Sequence, residues 1–163
     1  MAIGPFAIVK FELMPIRFAT ISDIPALVAL GERMHAITRF RSYPFNGKRV
    51  AEALATAISG PEGRYVCLIG VDSQQHVVGV LLAVLEKHIF SDLINASVMH
   101  YDVLPEARMG GYGVRLLKAF EQWSKNRDVT EINIGINSGD NFEKVGGFIK
   151  RMGYKKIGEN YVK

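Results

Sequence analysis

The sequence has little cysteine, no long apolar run and no concentrated block of charge, and each absence excludes a class of protein. The single cysteine, Cys67, excludes an internal disulfide and fits a reducing compartment, so we expect a cytoplasmic protein. No apolar run approaches the roughly 18 residues that a membrane-spanning helix requires. The net charge of +4 is spread along the chain without a basic run. We therefore expect neither a membrane nor a nucleic acid as partner.

Several motifs of catalysis and of metal or nucleotide binding are also missing. The four histidines show no metal-ligand spacing with one another or with Cys67, so no metal is expected. No Gly-x-Ser-x-Gly nucleophile motif is present. A nucleotide P-loop would need Gly-Lys-Ser/Thr, which does not occur, and a dinucleotide fingerprint would need a glycine at Leu116.

The length and composition are those of one compact unit. A chain of 163 residues with 48% apolar residues is long enough to bury a substantial core. We expect one domain over residues 14–163 and an N-terminal extension over residues 1–13. The extension does not have the pattern of a secretory signal, because Lys10 and Glu12 interrupt it and no basic flank precedes it.

Apolar periodicity and turn residues predict an alternation of strands and helices. The predicted strands cover residues 14–19, 64–71, 77–86, 95–103, 131–137 and 154–162, and the predicted helices cover residues 22–38, 48–58, 114–127 and 141–152. The order β-α-α-β-β-β-α-β-α-β favours an α/β (α+β) fold. It predicts a mixed, mostly antiparallel sheet with helices on both faces.

The segment from Val103 to Gly113, VLPEARMGGYG, lies between a predicted strand and a predicted helix. A helix that begins on glycines presents unpaired backbone N–H groups, and its dipole adds positive charge at the same end. Arg108 adds a full positive charge. This arrangement predicts a binding site for a phosphate or pyrophosphate.

The pattern Arg108-x-x-Gly111-x-Gly113 resembles the acetyl-CoA pyrophosphate loop of the GNAT (Gcn5-related N-acetyltransferase) superfamily. The element order agrees with a GNAT domain, and the segment FIKRMGY from Phe148 to Tyr154 resembles the closing motif of the family. The resemblance implies an enzyme that transfers an acetyl group from acetyl-CoA to a primary amine of a small molecule or a protein, by direct transfer in a ternary complex. It also implies a homodimer. A non-catalytic CoA-binding module with a degenerate site is the alternative.

Carried over residue by residue, the resemblance places CoA along the end of a strand and the following loop. The backbone N–H near Val103 would polarise the thioester carbonyl, and Asn141 or Asn137 would bind pantetheine, although Asn141 can equally cap a helix. The implied cofactor-binding residues are Tyr101, Asp102, Val103, Arg108, Met109, Gly110, Gly111, Tyr112, Gly113 and Asn141.

The catalytic groups are less determined by the sequence. An amine must be neutral to attack, so a general base is needed, and Glu86 is preferred over His100 and Asp102. The family often uses a tyrosine to protonate the leaving thiolate, and Ile149 stands at that position. Tyr101, Tyr112 or Tyr154 could supply the proton instead, CoA could leave as a thiolate, or catalysis could have been lost. We name Glu86 and Tyr101 as the candidate catalytic residues.

The loop between the first two helices is expected to bind the acceptor, because this loop usually sets acceptor specificity in the fold. It carries the candidate substrate-binding residues Arg39, Phe40 and Tyr43. Its aromatic residues could equally anchor the loop on the core. Its two arginines, Arg39 and Arg41, argue mildly against a polycationic acceptor.

Overall fold

The computed structural model describes residues 15–60, 63–139 and 141–163. Five strands and four helices follow one another in the predicted order, apart from the last predicted strand. The strands are β1 (Ile16–Phe18), β2 (Tyr65–Val71), β3 (Val77–Lys87), β4 (Ile94–Val103) and β5 (Glu131–Ile134), and the helices are α1 (Ile24–Ala36), α2 (Gly47–Ser59), α3 (Tyr112–Lys125) and α4 (Phe142–Arg151).

The strands form one sheet in the order β1-β2-β3-β4-β5. Neighbouring strands from β1 to β4 are antiparallel, whereas β5 runs parallel to β4. The parallel pair needs a crossover connection, and α3 supplies it. The predicted mixed, mostly antiparallel sheet is therefore confirmed.

Helices cover both faces of the sheet, as predicted. On one face α1 and α2 bury Leu27, Leu30 and Leu54 against β2 and β3. On the other face α3 and α4 pack against the sheet, with Phe120 and Ile149 in the buried cluster. The spacing of apolar residues that predicted these helices is thus the spacing of their buried faces.

The N-terminal end of α3 is attached to β2 through Tyr112. This side chain is buried, and its hydroxyl donates a hydrogen bond to the carbonyl of Val71 at 3.1 Å. The ring lies so close to Gly70 that a Cβ atom there would come within 2.7 Å of the ring carbon Cδ1. A glycine in β2 therefore makes the room that this anchor requires.

The predicted last strand, residues 154–162, is wrong: within the described chain no strand follows α4. Residues 155–163 are all exposed, and Lys155, Lys156 and Gly158 break the apolar alternation that a half-buried strand needs. The strand predicted to reach Asn137 ends at Ile134. The extension predicted for residues 1–13 lies outside the described residues.

We predict that Gly70→Ala destabilises the fold by about 1–3 kcal/mol, because the new Cβ would overlap the buried ring of Tyr112. Urea denaturation monitored by circular dichroism measures the change. Gly31→Ala is the matched control, since a Cβ in α1 at that position meets nothing within 4 Å. It should leave stability unchanged or raise it by up to about 1 kcal/mol. Equal effects of the two substitutions would contradict the assigned role of Gly70.

We predict that the Cys67 thiol does not react with a thiol reagent at pH 8 in the folded protein. Cys67 is 5% exposed in β2, and burial raises the pKa of its thiol to about 12, so almost no reactive thiolate forms. The absorbance released by 5,5′-dithiobis(2-nitrobenzoate) measures the reaction. One thiol should appear only after denaturant is added, and rapid labelling of the native protein would refute this expectation.

Candidate functional site

Strand β4 contains a β-bulge at the point where its neighbour β5 leaves it. Along β3, Leu82 pairs with His100 and Ala83 pairs with Val98, so Met99 is an extra residue in β4. Pairing with β5 also ends at Val98, opposite Ile134. From Met99 to Val103, β4 therefore keeps β3 on one side, and on the other side no strand among the described residues pairs with it. We call this unpaired side the open edge.

The open edge offers backbone hydrogen-bonding groups. The N–H of Leu104, just after β4, donates a hydrogen bond to the carbonyl of Val78 in β3 at 2.9 Å. Because successive residues of a strand direct these groups to opposite sides, the N–H groups of Val103 and Tyr101 point away from β3, toward the open edge. The predicted N–H at Val103 is thus directed where an extended ligand could pair with it.

The glycine-rich segment follows this edge directly. Residues Pro105–Gly110 form a short 3₁₀ helix, and Gly111 then adopts a left-handed conformation with φ 77° before α3 begins at Tyr112. Only glycine takes this conformation readily, and a Cβ at Gly111 would meet nothing within 4 Å. The space beside the N-terminus of α3 is therefore open, as a phosphate-binding site requires.

Arg108 lies between the loop and the open edge. Its side chain is exposed, and its Nε donates a hydrogen bond to the carbonyl of Val103 at 3.1 Å. The bond holds a cationic guanidinium at the end of the edge. A guanidinium held at this point can attract an anion that lies along the edge.

Tyr101 holds the first turn of α3 from the face of the sheet that carries α3 and α4. Its hydroxyl donates a hydrogen bond to the carbonyl of Gly113, and a Cβ on Gly113 would lie 3.4 Å from that hydroxyl. Burial raises the pKa of Tyr101 well above its ordinary value, with the charge of Glu121 adding to the shift. The phenol of Tyr101 is therefore neutral, and its hydroxyl proton is used in the hydrogen bond to Gly113 of α3.

Because of the bulge, polar side chains from both halves of β4 lie on the face of the sheet that carries α1 and α2. His100 pairs with Leu82, which belongs to the core of that face, and Asp102 pairs with Val80 of the same core. Without the extra residue Ser97 would lie on the opposite face from both. The polar side chains of β3 and β4 on this face are Glu86, Asn95, Ser97, His100 and Asp102.

The preferred base, Glu86, lies farther from the open edge than its two alternatives. It pairs with Asn95, where β4 is still bound to β5, and its carboxylate accepts a 3.5 Å hydrogen bond from Ser97. His100 and Asp102 lie beyond the bulge, along the open part of β4. The role of Glu86 stays a prediction.

The loop between α1 and α2, which we call the acceptor loop after its predicted role, packs on the segment that follows β5. Arg39 donates from its backbone N–H to the carbonyl of Ser138 at 2.9 Å and from Nε to the carbonyl of Asn137 at 2.6 Å. Its guanidinium also lies 4.3 Å from the ring centroid of Phe40, whose ring is 5.9 Å from that of Tyr43. The fold thus brings the predicted substrate-binding residues beside the segment where β4 and β5 part.

Gly139 is a residue of this region that the sequence did not single out. It has φ 81°, and a Cβ there would lie 2.9 Å from Cδ of Arg39. A Ser-Gly pair after a predicted strand was the only available signal, and it indicates no more than a turn. The close approach to Arg39 is visible only in the folded chain.

The remaining predicted residues divide between loop and core. Asn141 precedes α4 with φ 59° and makes no capping hydrogen bond through its side chain. Ile149 is buried, so the position of the family tyrosine belongs to the core here. Tyr154 donates a hydrogen bond to Glu121 at 2.8 Å, and the pKa of Tyr154 is raised by burial and by that carboxylate.

Two further features bear on the class of site. Within the described ranges, no three His, Cys, Asp or Glu side chains come together in a way that could hold a metal ion. No helix among the described residues is both long enough and apolar enough to cross a membrane. The groups present around the open edge are backbone amides, one guanidinium and a few titratable side chains.

We predict that Tyr101→Phe lowers the free energy of unfolding by about 0.5–1.5 kcal/mol, because it removes the hydrogen bond to Gly113 and keeps the ring. Denaturant unfolding measures the loss. Tyr43→Phe removes a hydroxyl from an exposed side chain of the acceptor loop and should change stability by less than about 0.5 kcal/mol. If both variants were as stable as the wild type, the bond from Tyr101 would have no stabilising role.

Comparison with known proteins agrees with this arrangement. The acetyltransferase (GNAT) family profile matches residues 32–154. No curated protein matches the sequence significantly. Among solved structures, a tetramutant of the BH1408 protein from Bacillus halodurans has a TM-score of 0.78 at 18% identity, with 91% of this chain and 98% of that chain covered. An aminoglycoside 6′-N-acetyltransferase from Acinetobacter baumannii has a TM-score of 0.72 at 17% identity, with 91% and 96% covered. The two likenesses show the fold, and the family match shows that the chain belongs to the acetyltransferase (GNAT) family.

Proposed function

We propose that this protein is an acetyl-CoA-dependent N-acetyltransferase that transfers an acetyl group to a primary amine by direct transfer in a ternary complex. The observation that carries the proposal is the parting of β4 from β5 at the bulge, which leaves Met99–Val103 as an open edge. The edge leads directly into a glycine turn and a helix N-terminus. An extended ligand with a pyrophosphate at one end fits this order of groups.

The residues present fit acetyl-CoA. The outward N–H groups of Tyr101 and Val103 would bind the amides of the pantetheine arm, in the way that a neighbouring strand does. The backbone from Arg108 to Gly113, at the N-terminal end of α3, would bind the pyrophosphate. When bound, acetyl-CoA supplies an activated acetyl group as a thioester.

The contribution of the protein to transfer is then mainly positioning and charge stabilisation. An outward N–H on the open edge would stabilise negative charge on the carbonyl oxygen as the amine attacks. The amine must lose a proton, and Glu86, His100 and Asp102 are the titratable groups of the adjacent sheet face. Holding both reactants side by side supplies the rest of the rate enhancement.

A CoA-binding module without transferase activity is the second candidate, and the burial of Ile149 favours it. An isoleucine packed in the core between α3 and the sheet can donate no proton to a leaving thiolate. The hydroxyls of Tyr101 and Tyr154 are engaged with Gly113 and Glu121. If departure of the thiolate requires a protein acid, binding without turnover results.

We expect acetyl-CoA and CoA to bind in the micromolar range while ATP does not, and Arg108→Glu to weaken CoA binding about tenfold or more. The substitution replaces a cation at the end of the open edge with an anion that repels the pyrophosphate. Isothermal titration calorimetry measures all three ligands. Lys125→Glu, at the opposite end of α3, makes the same change of charge and should leave affinity unchanged.

The outcomes separate the two candidates. Wild-type affinity in Arg108→Glu would remove the loop from the site, and no CoA binding at all would overturn both candidates. Sustained release of CoA from acetyl-CoA in the presence of an amine would exclude the non-catalytic module. Binding without release for any amine tested would favour the module.

A further inference from the structure

The face of β4 that carries His100 and Asp102 is left largely uncovered by helices. The core beneath α1 and α2 draws its fully buried strand residues from β2 and β3, and none of them comes from β4. On β4 itself, Met99 and His100 are exposed. This face of β4 is therefore accessible to a ligand that approaches beside the open edge.

Of the acidic residues on this uncovered face, Asp102 lies nearest the glycine turn. Its side chain is half-buried, and within the described residues it forms neither a hydrogen bond nor an ion pair. Burial raises the pKa of its carboxyl, while the charges of His100 and Arg108 partly oppose the shift. A half-buried carboxylate that lacks a hydrogen bond or an ion pair is costly, so a cation that reaches it gains a strong interaction.

Three arginines on the segments near this face, Arg33, Arg39 and Arg108, have contacts of their own. Arg33 on α1 forms a 2.8 Å ion pair with Glu106 in the 3₁₀ turn. Arg39 is bound to the carbonyl of Asn137, and Nε of Arg108 is bound to the carbonyl of Val103. Arg39, one of the two loop arginines that argued mildly against a polycationic acceptor, is therefore held by the carbonyl of Asn137.

We infer that Asp102 binds a positive charge on the acceptor, so that the preferred acceptor carries a second cationic group beside the amine that is acetylated. This inference rests on the proposed function. Asp102 directly precedes Val103, whose outward N–H is predicted to polarise the thioester carbonyl. The second charge would thus be held within a few bonds' reach of the reacting amine, as in a short diamine.

The test compares three four-carbon amines that differ in the group at the far end: 1,4-diaminobutane, butylamine and 4-aminobutanoate. Wild type should acetylate the diamine with a kcat/KM about tenfold or more above that of butylamine, with 4-aminobutanoate poorer still. In Asp102→Asn the advantage of the diamine should fall to about threefold or less, through a higher KM for the diamine.

Two matched variants make the test specific. Asp102→Glu keeps the negative charge and should therefore keep part of the preference for the diamine. If Asp102 had a purely structural role, keeping the charge would not keep the preference. Asp92→Asn removes one negative charge from the exposed β3–β4 turn and should leave the preference intact. Thermal unfolding of all three variants verifies that each one folds.

Each contrary result has a distinct meaning. Equal kcat/KM for the diamine and butylamine in wild type overturns the inference, and so does a preference that survives in Asp102→Asn. Acetyl-CoA binding with no acetylation of any of the three amines overturns it as well. Failure of acetyl-CoA to bind would instead overturn the proposed function itself.

Discussion

The extra residue in β4 is the constraint on which the site depends. Met99 interrupts the ladder with β3 at the same place where β5 leaves β4, so one irregularity both frees a backbone edge and changes which side chains share a face. A regular strand would put Ser97 on the opposite face from His100. The bulge thus lies where the open edge begins and determines which titratable groups share the adjacent face.

The second requirement is that the N-terminus of α3 stays fixed beside that edge. Two tyrosines hold it: Tyr112 bonds to the end of β2, and Tyr101 bonds from β4 to the carbonyl of Gly113. Gly70 leaves space for the first ring. A helix terminus held from two strands presents its N–H groups in one orientation, which is what preorganised anion binding requires.

The chemistry that this arrangement supports depends more on backbone than on side chains. Ile149 fills the core where a proton donor would be expected from the family pattern, and Tyr101 and Tyr154 are engaged in hydrogen bonds. The open edge and the helix terminus remain, together with Asp102 and its neighbours. Under the proposed function, positioning of the two substrates is therefore the main contribution of the described residues.

The sequence by itself determined the order of elements, the glycine turn after a strand and the buried faces of the helices, because periodicity and turn chemistry are local properties. It erred on the strand at 154–162, since only pairing with a neighbour decides whether such a segment is a strand. Only the tertiary structure revealed the extra residue at Met99 and the hydrogen bond from Arg39 to Asn137. It alone also showed that Asp102 lacks a hydrogen bond and an ion pair among the described residues. Each depends on contacts between residues distant in sequence, and no local pattern encodes those contacts.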